Sequence, residues 1–127
     1  MYFLAPFLEL RKSKKRGLGV FSKIALKANT LVEISPVIEL NSKDTEYIHQ
    51  SKLHDYYFTW GEDQESSAIG LGYISLYNHA QKANCFHSCD FEANTISIYT
   101  KTEIEADAEL FINYNMDEEK ELWFDVL

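Results

Sequence analysis

Gly70-Leu71-Gly72-Tyr73-Ile74-Ser75-Leu76-Tyr77-Asn78-His79-Ala80-Gln81-Lys82-Ala83-Asn84-Cys85 is the stretch on which the reading of this chain turns. Its first half is an apolar, strand-like run that ends abruptly at Asn78-His79 in a polar loop. Folds place sites at such junctions, because a rigid element can aim residues that a loop then shapes to a ligand. Asparagine offers two donors and an acceptor, and histidine donates or accepts, so the pair is suited to reading a polar ligand.

Two further segments stand beside it. Upstream is Arg16-Gly17-Leu18-Gly19-Val20-Phe21, and downstream is Glu109-Leu110-Phe111-Ile112-Asn113-Tyr114. The G-x-G sits in a strand context and opens no helix, which argues against dinucleotide binding. Alone it marks a hairpin or bulge, where glycine lets the backbone approach a neighbour closely.

In this order and spacing the three segments resemble the SET domain, a family of S-adenosylmethionine-dependent protein lysine methyltransferases. The family pattern is a G-x-G near the start, N-H-[SA]-x-x-P-N in the middle and E-L-x-x-x-Y near the end. The resemblance covers residues 8–114, nearly the whole chain. It implies a mostly β domain of the β-clip type, with several short sheets, few short helices and a C-terminal segment threaded as a pseudoknot. It implies a single domain over residues 1–127, with a core of about 8–114 and residues 115–127 as a short tail or helix. The implied activity is methyl transfer from S-adenosyl-L-methionine to the side-chain amine of a protein lysine. The alternative is a catalytically inactive SET-like binding or assembly module, since a fold does not dictate a function.

The resemblance also assigns residues. Tyr114 matches the catalytic tyrosine. Gly17, Leu18, Gly19, Asn78 and His79 match cofactor-binding positions, and Trp123 is a candidate to complete the adenine pocket. Tyr57, Tyr73, Tyr77 and Ile112 are expected at the substrate channel, with Phe58 as a further wall candidate. Asn84 matches a position that stabilises the threaded loop. The chain departs from the pattern at Gln81, Ala83 and Asn115, and Ile112 stands where Phe or Tyr is common, which leaves the number of methyls added open.

Composition narrows the partners. Twelve Lys+Arg against twenty Asp+Glu give a net charge of −8, which disfavours a nucleic-acid-binding β domain because phosphate neutralisation dominates such binding. An acidic surface favours a basic partner, here a lysine-containing protein or peptide. No apolar run approaches the roughly 20 residues of a membrane span, and Met1 to Leu8 lacks the basic start of a secretory signal. Two cysteines without targeting point to a reducing cytoplasm, with a nuclear or host compartment left open. The short chain and its apolar tail lead us to expect a homodimer.

The rest reads as scaffold. Leu31-Val32-Glu33-Ile34 and Val37-Ile38-Glu39-Leu40 are strand-like runs split by Pro36. A helix cap is expected among Ser42, Lys43, Asp44 and Thr45. Tyr56 to Trp60 and Ala68 to Gly70 form a hairpin around a polar turn, and Asn94 to Thr100 alternates as a strand. Asn29 and Asp107 stand where the family has turn glycines, and both types tolerate a left-handed backbone. Cys85, His87 and Cys89 share one strand face, but two cysteines fall short of a structural zinc set, so we expect small buried thiols and no metal.

Overall fold

A computed structural model describes residues 1–14 and 17–114. Among them lie strands β1 (Phe3–Leu4), β2 (Leu8–Lys12), β3 (Leu18–Ser22), β4 (Leu31–Leu40), β5 (Tyr57–Trp60), β6 (Ser66–Gly70), β7 (Asn78–His79), β8 (Cys85–Asp90), β9 (Thr95–Thr100) and β10 (Glu109–Ile112). Helix α1 (Ser42–His49) and two 3-10 helices, Lys52–Asp55 and Tyr73–Leu76, complete the set. One sheet runs β5-β6-β4-β9-β8, with β1 also paired to β4, and a second runs β2-β3-β10-β7. None of the described helices is long and apolar enough to cross a membrane.

The first sheet is built on β4. The sequence reads as two runs parted by Pro36, but the structure makes one strand of ten residues. Proline lacks the N–H a ladder needs, and it falls where the strand changes partners: residues 31–36 pair with β9 and residues 37–40 with β6. Alternation then sets the core. Val32, Ile96 and Ile98 face inward and meet Val20, Leu110 and Ile112 of the second sheet, all fully buried, each contributing about 1.5–3 kcal/mol of burial.

The sheet curls until its two edge strands face each other. Trp60 of β5 packs edge-on to Phe91 just beyond β8, with ring centroids 5.0 Å apart. Phe58 of β5 lies 5.7 Å from His87 of β8. The expected β5–β6 hairpin forms, with Tyr57 opposite Ile69 and Trp60 opposite Ser66.

Residues 71–77 depart from the strand expected of them. After β6 the chain winds into the Tyr73–Leu76 3-10 helix, and the strand that follows is only Asn78–His79. Periodicity could not reveal the cause, which is a buried acid. Glu33 of β4 accepts hydrogen bonds from the Tyr77 hydroxyl at 2.8 Å and from the backbone of Tyr73 and Ile74. Gly70 and Gly72 make room for this turn, because a Cβ on Gly70 would strike Ile74 and one on Gly72 would strike the Glu33 carboxylate.

Local signals elsewhere are met closely. Asn29 and Asp107 take left-handed φ values of 65° and 67°, and Asp107 also accepts from Arg11 at 2.8 Å. The cap of α1 is Asn41 rather than one of the four residues after it; its Oδ1 accepts from the Asp44 amide at 2.8 Å.

The 78–84 segment grips β10, as a threaded C-terminal strand requires. β7 pairs with β10 in parallel, Asn78 opposite Phe111 and His79 opposite Ile112. Asn84 closes the grip by donating Nδ2 to the Glu109 carbonyl at 2.9 Å and accepting at Oδ1 from the Phe111 amide at 2.8 Å. Asn84→Ala therefore strips two partners from the β10 backbone and is expected to cost about 2 kcal/mol of stability. Urea denaturation checks this; a loss of only a few tenths would show that strand pairing alone holds β10.

Candidate active site

Three strands meet at the site. β10 lies between β3 and β7, so the G-x-G, N-H and E-L-F-I-N-Y segments, distant in sequence, share one end of the second sheet. A cavity of about 300 Å³ opens there, bounded by Gly17, Leu18, Tyr77, Asn78, His79 and Tyr114, with Asp55, Tyr56, Ser75 and Leu76 at its other wall. The two glycines differ in role. A Cβ on Gly17 would project into open space. Gly19 does not line this cavity; a Cβ there would strike the Glu109 carboxylate and crowd the Asn78 amide.

That crowding reflects a fixed amide. Asn78 Nδ2 donates to Glu109 Oε2 at 2.7 Å and to the Leu18 carbonyl at 3.2 Å. Glu109 is itself held by the Ser13 hydroxyl at 2.9 Å. Both neighbours of Nδ2 are acceptors, so the amide orientation is determined. Among the described residues no donor is bonded to its Oδ1, an atom able to accept from an N–H group. The sequence quoted Glu109 as part of a motif without giving it this duty.

His79 and Tyr114 are joined. The Tyr114 backbone N–H donates to His79 Nδ1 at 3.2 Å, and the two rings stack at 5.9 Å. Accepting at Nδ1 leaves the proton of the neutral ring on Nε2; the ring braces Tyr114. The Tyr114 hydroxyl donates to the Tyr77 carbonyl at 2.5 Å.

Tyr114 also belongs to a second cavity. This groove, about 540 Å³, runs between the facing edges β5 and β8 and is lined by Tyr57, Phe58, Thr59, His87, Ser88 and Cys89, among others. Phe58 lies 5.4 Å from the Tyr114 ring. Tyr114 is thus the wall common to both cavities.

The remaining expected residues are scattered. Tyr57 lines the groove, and its hydroxyl bonds to His49 Nδ1 at 2.9 Å. Tyr77 contributes its carbonyl to the site while its side chain, 1% exposed, points to Glu33. Tyr73, packed against the core, and Ile112, fully buried, line neither cavity. Trp123 lies outside the described residues. Burial pushes the Cys85 thiol up to about 12 and that of Cys89 to about 11, so both stay protonated. Among the described residues no three of His, Cys, Asp and Glu converge to hold a metal.

The geometry has clear relatives. The family model of the SET domain matches residues 17–115. This chain belongs to the SET domain family. It is 36% identical over 119 residues to a Schizosaccharomyces pombe protein named histone-lysine N-methyltransferase, H3 lysine-37 specific, covering 93% of this chain and 77% of that one. A crystal structure of a Plasmodium falciparum candidate histone methyltransferase superposes with a TM-score of 0.66 at 28% identity, covering 84% of this chain and 91% of the other. The Chaetomium thermophilum Polycomb Repressive Complex 2 shares the fold, with a TM-score of 0.72 at 22% identity over 94% of this chain and 18% of that one. With the family and the curated relative agreeing, the chain is a protein-lysine methyltransferase.

Glu33 ties the site to the core and carries a pH signature. Burial raises its pKa above the ordinary 4.5, opposed by the hydrogen bonds from Tyr77 and from the Tyr73 and Ile74 backbone. A raised native pKa means that the folded state holds the proton more tightly than the unfolded chain. This acid's contribution to stability therefore falls as pH climbs from 4.5 through the folded pKa. Glu33→Gln removes that component. The stability of the variant relative to wild type is expected to rise across this window, read by urea denaturation at a series of pH values. A constant difference would contradict the assignment.

Proposed function

We propose that the protein holds S-adenosylmethionine in the cavity of Gly17, Leu18, Asn78 and His79 and methylates a lysine of a histone tail laid in the β5–β8 groove. The observation that carries this reading is Tyr114, which lines both cavities and whose hydroxyl is fixed on the Tyr77 carbonyl.

The chain's residues fit the cofactor. The space a Gly17 side chain would fill accommodates it, Asn78 Oδ1 is aimed to accept from its amino group, and extended backbone at Asn78–His79 offers polar edges to a base. When bound, S-adenosylmethionine supplies an electrophilic sulfonium methyl, which the lysine nitrogen takes up as the carbon–sulfur bond breaks.

The residues of this chain supply the conditions. A lysine amine must be neutral to attack, yet its ordinary pKa is about 10.4. Phe58 and the Tyr114 ring form an apolar throat that disfavours the ammonium and lowers that pKa, releasing the proton to water. The same throat aligns the nitrogen, and alignment alone supplies several kcal/mol. The Tyr114 hydroxyl and the Tyr77 carbonyl present fixed oxygen dipoles where partial positive charge sits during transfer. Among the described residues β5 and β8 form the outer edges of their sheet, where an extended peptide can pair, while the net charge of −8 favours a basic tail.

Calorimetry with S-adenosylmethionine and a transfer assay on recombinant histone H3 test the reading. Wild type is expected to bind, and Gly17→Trp to lose at least about tenfold in affinity by filling the cavity. Tyr114→Phe should keep binding and lose about 100-fold in transfer rate. Absence of binding by wild type, or full activity of Tyr114→Phe, would sink this assignment of the site.

A further inference from the structure

Tyr77 joins the transfer site to the core through two different groups. Its backbone carbonyl accepts from the Tyr114 hydroxyl at 2.5 Å. Its own hydroxyl, at the end of a side chain buried to 1% exposure, donates to Glu33 Oε1 at 2.8 Å. Burial, with the Glu33 carboxylate beside it, pushes the pKa of that hydroxyl well above its ordinary value, so it keeps its proton and stays the donor.

Glu33 holds the other end of the same turn as well. The Tyr73–Leu76 3-10 helix starts at Gly72, which has no side chain to cap it, so its first amides need acceptors from elsewhere. Glu33 provides them, accepting from the backbone of Tyr73 and Ile74. One carboxylate therefore fixes the start of the turn and, through the Tyr77 hydroxyl, the residue that ends it. The carboxylate is itself firmly mounted. Glu33 is 1% exposed and paired on both edges of β4, to Leu4 of β1 and to Ile98 of β9. A Cβ on Gly72 would strike its Oε2 and come within 3.1 Å of Ser35 Oγ, so the acid has no room to shift that way.

Filling space does not call for an acid here. Burying a carboxylate costs free energy that its hydrogen bonds offset, and an apolar side chain would occupy the same volume without that cost. What the acid adds is direction: it aims the turn amides and the Tyr77 hydroxyl at one point, and an apolar residue would leave them unpaired. The group so aimed is the one whose carbonyl meets Tyr114.

We propose that Glu33 is a positioning residue for methyl transfer, acting through the Tyr77 hydroxyl to hold the Tyr77 carbonyl against the hydroxyl of Tyr114. This rests on the reading of Tyr114 as the residue at which transfer occurs.

The test is a double-mutant cycle in the full chain: wild type, Tyr77→Phe, Tyr114→Phe and the double variant. Transfer to recombinant histone H3 is followed with labelled S-adenosylmethionine, and cofactor affinity by calorimetry. Tyr77→Phe removes the hydroxyl and keeps the carbonyl; it is expected to lose about tenfold in kcat, because a small misplacement at the reacting centre is costly. Cofactor affinity and the KM for H3 should stay within about twofold of wild type, as only the transfer step is affected. In the Tyr114→Phe background the carbonyl has no hydroxyl to meet, so Tyr77→Phe should cost less than about twofold more. Glu33→Gln, which keeps one acceptor oxygen, should lose less in kcat than Glu33→Leu, and it enters the cycle if Tyr77→Phe does not fold. Full kcat in Tyr77→Phe overturns the inference. So does the same loss with and without the Tyr114 hydroxyl, or a loss confined to KM or cofactor affinity, since either would mark a merely structural role. A wild type that neither binds S-adenosylmethionine nor methylates H3, or a fully active Tyr114→Phe, removes the reading beneath, and the inference falls with it.

Discussion

The Glu33 carboxylate is the constraint on which the site depends. A carboxylate inside a β core is costly to bury unless hydrogen bonds replace its water. Here the replacements come from one short segment: the Tyr77 hydroxyl and the backbone of Tyr73 and Ile74. The chain must therefore leave β6 and wind tightly over β4, which it does only because Gly70 and Gly72 carry no side chain to obstruct the turn. The turn delivers the Tyr77 carbonyl to the point where the Tyr114 hydroxyl finds it. A buried acid in the scaffold thus sets the position of the oxygen proposed to surround the transferred methyl.

The second consequence is the meeting of two cavities at one residue. β10 is held on one edge by β3, on the other by β7, and from above by the Asn84 side chain. So confined, it can end in only one place, and Tyr114 emerges braced against His79. The curl of the larger sheet brings β5 and β8 to the opposite side of the same tyrosine. A shallow surface cleft could not keep a reactive methyl donor and an amine apart until they are aligned. Two cavities that share Tyr114 as a lining residue suit the proposed separation.

Glycine illustrates how a motif mixes reasons. Gly17 and Gly19 look equivalent in the sequence, yet one borders open space and the other yields its volume to Glu109. Glu109 in turn orients the Asn78 amide so that its oxygen, rather than its nitrogen, is presented. The second glycine therefore acts on the proposed cofactor site through packing, at one remove.

Much was legible in the residues themselves. The alternating pattern of Thr95–Thr100, the hairpin of β5 and β6, and left-handed turns at Asn29 and Asp107 follow from local preferences, which neighbouring residues express without help from the rest of the chain. The spacing of the three motifs pointed to the family and to Asn78, His79 and Tyr114. What was misread depended on partners far along the chain. The stretch 71–77 has a strand's composition, but a carboxylate some forty residues earlier draws its amides into a 3-10 turn. Pro36 parts two runs in sequence, yet it marks a change of strand partners that only the assembled sheet can define. For Tyr73, Tyr77 and Ile112, expected at the channel, nothing local tells whether a side chain faces a channel or the core; Tyr77 lines the first cavity with its side chain turned to Glu33, while Tyr73 and Ile112 line neither cavity described. His87, weighed only as a metal ligand, gains its place in the groove when the sheet curls and sets β8 opposite β5. Sequence determined the elements and the chemistry available, because those rest on short-range preference and residue type. Tertiary structure alone decided which side chains reach the cavities, because that depends on contacts between segments that meet only once the sheets close.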